Sequence, residues 1–369
     1  MRRQLLAAFA VGTAGLLALT ACGSSSGGSG DTGSSAPAKA KKVGVILPDT
    51  ASSARWENND RPLLKAAFDA AGIQSDIQNA GGDKAKFQTI ADGMISSGVN
   101  ALLIVNLDSD SGAAVAKKAV AAGIPTIDYD RLTLGGGSSY YVSFDNVAVG
   151  TAIGEGLVKC LKDDGKTTGG IVELNGSPTD NNATLFKSGY DKAIKAAGYS
   201  IVADQSVPDW DNTKAGTIFE QINTKQKGKF VGVAAANDGL GGAVVARLKS
   251  EGLAGKIPVT GQDATDDGLQ RVLQGTQCMT VYKAVKKEAD AASSLAIKII
   301  NGDKAGADAL ATAKSADSVT GKDVPSVLLE PQAIFKDNVK DVVADGFTTA
   351  DKICTTADLK KACTENGVS

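Results

Sequence analysis

From Val43 onward the chain alternates short unbroken apolar runs with longer stretches whose apolar residues recur at helical spacing. The runs read as strands over residues 43–47, 75–78, 101–105 and 125–129. Between them, amphipathic helices are expected over 61–71, 84–97 and 113–122, with Gly72, Gly98 and Gly123 standing where each should stop. A strand at 140–144 closes this series, and a second one begins. It sets helices at 149–161, 182–197, 214–224, 240–251 and 266–274 among strands at 170–174, 201–204, 230–235, 257–261 and 278–282. A long helix follows at 286–300, then a polar, irregular stretch at 302–324, a last strand at 326–329 and a C-terminal tail.

Strands that are apolar throughout are buried on both faces, which calls for a parallel sheet with helices on each side. Two such series in succession predict two doubly wound α/β lobes. In open α/β sheets ligands sit beyond the carboxyl ends of the strands, so two facing lobes make a cleft that a hinge motion can close. The element left over after Cys278 points to a return of the chain to the first lobe.

The segment ahead of Val43 has a different character. Arg2 and Arg3 precede an apolar run over 5–19, which ends in Leu19-Thr20-Ala21-Cys22. That is the layout of a secretory signal peptide over 1–21, too short for an ordinary membrane span. Its end resembles a bacterial lipobox, in which the Cys22 thiol would take a diacylglycerol and become the mature N-terminus. Residues 22–42 are Gly/Ser-rich and then Ala/Pro/Lys-rich, the composition of a flexible tether with a reach of about 25 Å. The expected location is therefore extracytoplasmic, with the body anchored to the cell membrane through Cys22.

Charge and rare residues narrow the function. Removing residues 1–21 takes away two Arg and no acid, so the net charge of −2 becomes −4. With no basic stripe, nucleic acid is not an expected partner. The chain has no histidine, which excludes Ser-His-Asp and Cys-His catalysis and every His-ligated zinc site. Besides Cys22 it carries Cys160, Cys278, Cys354 and Cys363, an even number in an oxidising compartment, so disulfides are expected. Four cysteines allow three pairings. Cys354 and Cys363 would close a C-terminal loop and leave Cys160 for Cys278, and none of the spacings is that of a metal site.

The candidate chemistry lies just after each strand. In order come Ser53, Arg55 and Trp56; Asp130 and Arg131; Pro178, Asp180, Asn181 and Asn182; Asp209 and Trp210; Asn237 and Asp238; Gln262 and Asp263; and Lys283. Carboxylates accept, while carboxamides, guanidinium and ammonium donate, so one sugar hydroxyl can bridge two such side chains. The C–H face of a pyranose can stack on indole, and both tryptophans of the chain belong to this set. Taken singly, Asp180, Asn237 or Asp263 would more often be an ordinary helix cap. Their convergence on one sheet edge favours a polyol site.

Other motifs lead nowhere. Gly239-Leu240-Gly241-Gly242 resembles a dinucleotide fingerprint, but Val244 holds the third glycine position and no ribose-binding acid follows. Asp108 and Asp110 match half of a calcium loop whose Gly and Glu are missing. No metal or cofactor is expected.

Several motifs together resemble the D-xylose-binding proteins of ABC importers, within the type I periplasmic sugar-binding family. They are Arg55-Trp56, Tyr129-Asp130-Arg131, Val142-Ser143-Phe144-Asp145-Asn146, Gly176-Ser177-Pro178-Thr179-Asp180-Asn181-Asn182, Gly261-Gln262-Asp263-Ala264 and Met279-Thr280-Val281-Tyr282-Lys283. The resemblance runs from Val43 to about Phe347. It implies a pyranose held by Arg55, Trp56, Asp130, Arg131, Asp180, Asn182, Trp210, Asn237, Asp263 and Lys283. It also implies the type I periplasmic-binding-protein fold: two Rossmann-like lobes joined by a three-crossover hinge near 144–146, 278–283 and 327–331. Lobe one would comprise 43–144 plus 283–326, and lobe two 145–282 plus 327–369, which puts Cys160 and Cys278 in the same lobe.

The implied role is a monomeric receptor, not an enzyme, that delivers sugar to the membrane permease of an ABC importer. A related multi-sugar group, binding glucose, galactose and arabinose, shares Ser52-Ser53-Ala54-Arg55-Trp56, Tyr129-Asp130-Arg131-Leu132 and the Ser-Pro-x-Asp-Asn-Asn loop. Asp209-Trp210, Asn237-Asp238 and residues 279–283 favour xylose over that broader set, whose members can also serve a chemoreceptor or sensor kinase. A carboxylate glycosidase is the rival from another class, but Arg and Lys clamps suit holding a sugar more than protonating it.

Overall fold

The computed structural model describes residues 40–369, so the predicted signal segment, Cys22 and nearly all of the tether lie outside the described residues. β1 (Lys42–Leu47) runs inside the first sheet. Val43, Val45 and Leu47 face one helical layer and Ile46 the other, so both faces are buried and the strand is apolar along its length. β2 (Gln74–Asn79) and β3 (Ala101–Ile104) flank it, and β4 (Thr126–Tyr129) and β5 (Tyr140–Phe144) continue the sheet, all parallel. A second parallel sheet has the order β7-β6-β8, from β6 (Gly170–Asn175), β7 (Ser200–Ser206) and β8 (Gly232–Ala235).

Four strands follow: β9 (Thr280–Tyr282), β10 (Ala313–Asp317), β11 (Lys322–Leu329) and β12 (Gln332–Ile334). β11 returns to the first sheet, parallel to β5, with β10 antiparallel outside it, while β12 pairs with β9. The chain thus leaves the first sheet after Phe144, comes back between Tyr282 and the helix Val285–Ile300, and leaves again between Leu329 and Gln332. Pairing of β11 with β5 through Leu329 keeps residues 327–329 in the first sheet, three residues beyond the predicted boundary.

The second core depends on two helices that approach backbone to backbone, Asn146–Asp163 and Asn181–Ala196. A Cβ at Gly150 would overlap the Phe186 carbonyl, and one at Gly189 would overlap the Val147 carbonyl, so both positions must be bare. This contact fixes the second helix, whose first turn carries Asn182. Beside it, Cys160 and Cys278 lie with Cα atoms 6.4 Å apart. The Cα atoms of Cys354 and Cys363 are 6.2 Å apart.

Three expectations are corrected. Residues 302–324 are not irregular: Asp303 caps the helix Lys304–Leu310 through Gly306 N at 2.8 Å, and the Asp317 carboxylate turns the β10–β11 hairpin by accepting from Val319 N at 2.9 Å. Residues 257–261 do not form a strand. They run beside β8 with one bridge, Val233 to Val259: on one side Pro258 has no N–H to give, and on the other Ala235 N donates to Thr260 Oγ1 at 3.1 Å. The C-terminal tail folds into the helices Val339–Ala344, Ala350–Ile353 and Ala357–Glu365, whose Val339, Val342, Ile353 and Leu359 share a core with Leu269, Val272 and Tyr282. Among the described residues no helix is long and apolar enough to cross a membrane.

Candidate functional site

Beyond β1 the chain tightens into a π-helical turn, Trp56–Asp60, which turns Arg55 and Trp56 inward. Arg55 is buried among acids. Its Nε and Nη2 donate to Asp60 at 2.9 and 2.7 Å, its Nη1 donates to Asp130 at 2.8 Å, and Nη2 also donates to Glu288. Burial opposes the guanidinium charge, yet Asp60, Glu288 and Asp130 outweigh it and hold Arg55 well above its usual range. Burial pushes Glu288 up to about 8; Arg55 opposes this, and Asp130 and Asp60 add to it. Near neutrality the cluster therefore holds Arg55 as a cation, Asp130 as an anion, and Glu288 mostly as the neutral acid.

At the end of β4 the backbone turns left-handed, with φ 64° at Asp130. The Asp130 carbonyl accepts from Ser143 Oγ at 2.8 Å and Asn182 Nδ2 at 2.9 Å. Burial would raise the Asp130 carboxyl, but Arg55, Lys283 and Arg131 hold it below the usual carboxylate range. Arg131 follows, its Nε 3.2 Å from Asp180 Oδ2. The Trp56 ring lies under both guanidinium groups, 4.6 Å from Arg55 and 5.6 Å from Arg131.

The facing wall comes from the second sheet. Asp180 caps the helix Asn181–Ala196 by accepting from Asn182 N at 2.9 Å, and its other oxygen accepts from Trp210 Nε1 at 3.1 Å. The cap and the cleft roles are thus held by one carboxylate. Trp210 meets Phe186 edge to face at 6.5 Å. Asn237 caps the helix Asp238–Ser250 through Leu240 N at 2.8 Å. Asp263, at φ 94°, pairs with Lys283 Nζ at 3.0 Å. Burial lowers the Lys283 pKa, but Asp263 and Asp130 more than reverse that, so the buried ammonium stays charged.

All ten predicted residues line one cleft between the two sheets, together with Ser52, Ser53, Phe186 and Gln262. Asp60 and Glu288, which set the charge of Arg55, were not anticipated. Glu288 sits in the first turn of a helix that reads as an ordinary amphipathic one, and only the return crossover brings it behind the cleft. Asp60 follows Arg55 by five residues, a spacing that becomes informative once the π-helical turn is known. The cleft offers three cations, three carboxylates, carboxamides and two indoles, the means to hold a neutral polyhydroxylated ring from both sides.

A periplasmic binding protein domain matches residues 43–304. The D-xylose-binding periplasmic protein of Escherichia coli K12 is 34% identical over 321 residues, 86% of this chain and 93% of that protein. The multiple sugar-binding periplasmic receptor of Rhizobium radiobacter is 30% identical over 330 residues, covering 84% and 92%. An ABC transporter solute-binding protein of Clostridium phytofermentans, solved with β-D-glucose, superposes with a TM-score of 0.76 at 28% identity, over 85% of this chain and all of that one.

Proposed function

This chain belongs to the periplasmic binding protein family, and we propose that it is an extracytoplasmic receptor that closes on D-xylose and hands it to an ABC importer. The family consists of receptors, not enzymes. The observation that carries the reading is the convergence of Arg55, Trp56, Asp130, Arg131, Asp180, Asn182, Trp210, Asn237, Asp263 and Lys283 on one cleft. In this reading all ten touch the sugar. Asp130 and Arg55 hold hydroxyls from the first lobe; Asp180, Asn182, Asn237 and Asp263 do so from the second; Trp56 and Trp210 flank the ring. Contacts from both lobes give the closed state the higher affinity, which is what a ligand-driven switch requires.

The same reading assigns lobe one to 43–144 and 283–329 and lobe two to the rest of the body. Cys160–Cys278 and Cys354–Cys363 are its disulfides, supported by their Cα separations of 6.4 and 6.2 Å. Cys22 carries the lipid, and a membrane permease reads the closed lobes. A second reading, a receptor for several aldoses that also serves a sensory partner, is favoured by the multi-sugar relative and by the glucose-bound neighbour.

Calorimetric titration of residues 43–369 with D-xylose, D-glucose, D-galactose, L-arabinose and D-ribose separates the two. Tight binding of xylose alone supports the first reading, comparable binding of several aldoses supports the second, and binding of none removes both.

A further inference from the structure

Among the described residues a few buried side-chain oxygens have no hydrogen-bond partner, and Gln262 Oε1 is the one whose residue lines the cleft. A carboxamide oxygen shut away from water and left unpaired is costly, and native structures keep such groups mainly where something else will bond them. The backbone around it is held on both sides. Gln262 O accepts from Asp238 N at 2.9 Å, and Val281 N donates to Gly261 O at 3.2 Å while Asp263 N donates to Val281 O at 2.8 Å. The residue is therefore fixed at the cleft wall, and no loose loop can carry its side chain to a different partner.

A second buried glutamine in the same region shows the contrast. Gln277 Oε1 accepts from Arg271 Nε at 2.9 Å, and its Nε2 donates to Asp238 Oδ1 at 2.7 Å and to Met279 O at 3.1 Å. That carboxamide is structural and fully used. Gln262 is equally buried, at 3% exposure against 1% for Gln277, yet its oxygen is free.

We propose that Gln262 is an eleventh ligand-binding residue, whose Oε1 accepts a hydrogen bond from one hydroxyl of the bound monosaccharide and so sets which epimers and deoxy sugars are taken. The inference rests on the sugar-receptor reading and deepens it. A neutral acceptor suits this role. The carboxylates of the cleft are already engaged, Asp130 with Arg55, Asp180 with Arg131 and Trp210, and Asp263 with Lys283. Gln262 Oε1 can accept a hydrogen bond from a hydroxyl without breaking one of those pairs.

The test compares wild type and Gln262→Leu by calorimetry with D-xylose and its 2-, 3- and 4-deoxy analogues, and by thermal melting without sugar. The expected result is about a tenfold or greater loss of xylose affinity in Gln262→Leu. One deoxy analogue should bind wild type more weakly than xylose does, yet bind the variant no more weakly than xylose does. The melting temperature without sugar should not fall. A variant within twofold of wild type for xylose overturns the proposal, as does an equal further loss on every deoxy analogue in the variant. A clearly lower melting temperature overturns it too, because it would give the amide a structural partner. If wild type binds none of the sugars, the receptor reading itself fails and takes this inference with it.

Discussion

Arg131 Nε stands 3.2 Å from Asp180 Oδ2, so the residue that ends the β4 turn of the first sheet is paired with the cap of a helix belonging to the second. Asp180 is committed three times over, to Arg131, to Trp210 Nε1 at 3.1 Å and to Asn182 N at 2.9 Å. A buried charge shared between helix start, indole and guanidinium links the position of the two walls to the position of the ring between them.

Asp180→Ala should therefore lose both affinity and stability. Loss of a charged hydrogen-bond partner is expected to weaken sugar binding by about 1.5–3 kcal/mol. Loss of the cap should lower stability by about 1 kcal/mol. Asp180→Asn should keep the cap while losing most of the attraction for Arg131, so calorimetry and melting will separate the two roles. Wild-type affinity in Asp180→Ala would remove Asp180 from the site.

Glu288 predicts a pH dependence of stability. Its pKa of about 8 lies above that of an unfolded carboxyl, so between those values the folded protein holds a proton that the unfolded chain has released. Stability should fall as pH rises through this window, by up to about 1.4 kcal/mol per unit, and level off above 8. Asp128 and Glu173, both near 7, and Asp238, near 6, act in the same direction but finish lower. The interval from pH 7 to 8 therefore reports mainly on Glu288, which faces Arg55, Asp60, Asp130 and Lys283. Glu288→Gln should flatten that interval in urea unfolding measured at each pH. An identical slope in the variant would show that Glu288 is ionised in the fold.

The C-terminal helices predict a stability effect felt at the cleft. Tyr282, next to Lys283, is buried against them, meets Phe347 at 5.2 Å between ring centroids and donates to Asp345 at 2.6 Å. Deleting residues 339–369 should expose Tyr282, Leu269 and Val272 and weaken sugar binding through Lys283. Phe347→Ala, which spares the remaining core, should cost about 1–3 kcal/mol, below the usual toll for a fully buried ring because Phe347 is only half-buried. Unaltered melting in Phe347→Ala would leave the helices as a passive appendage.

These cases show where sequence reading stops. Most of the predicted cleft-lining residues were legible because they follow strands of a recognisable α/β series, and topology carries strand ends to one edge; Asp263 follows an extended run that lies beside β8 without becoming a strand. Asp60 and Glu288 were not, because they reach Arg55 from a turn and from a helix face, and no linear pattern encodes that. The C-terminal helices are too short to show a period, and they exist because Val339, Ile353 and Leu359 find a partner surface. The expected strand at 257–261 stops at one bridge because Pro258 lacks a donor and the Thr260 hydroxyl takes Ala235 N, local facts that apolar patterning outvoted.

Gly176 is the last position whose consequence can be measured. A Cβ there would overlap the Trp210 ring, which φ angles of 61° at Asp209 and 56° at Trp210 hold in place. The ring has nowhere to move, with Asp180 on its nitrogen at 3.1 Å and Phe186 at its edge, 6.5 Å between centroids. Gly176→Ala should displace the indole, lower stability by about 1–3 kcal/mol through overpacking, and reduce sugar affinity about tenfold or more. The effect on binding should run through Trp210. In a Trp210→Ala background, Gly176→Ala should cost little further affinity, because the ring it disturbs is gone. If the two substitutions simply add in a double-mutant cycle, Gly176 does not position the indole, and Trp210 owes its place to Asp180 and Phe186 alone.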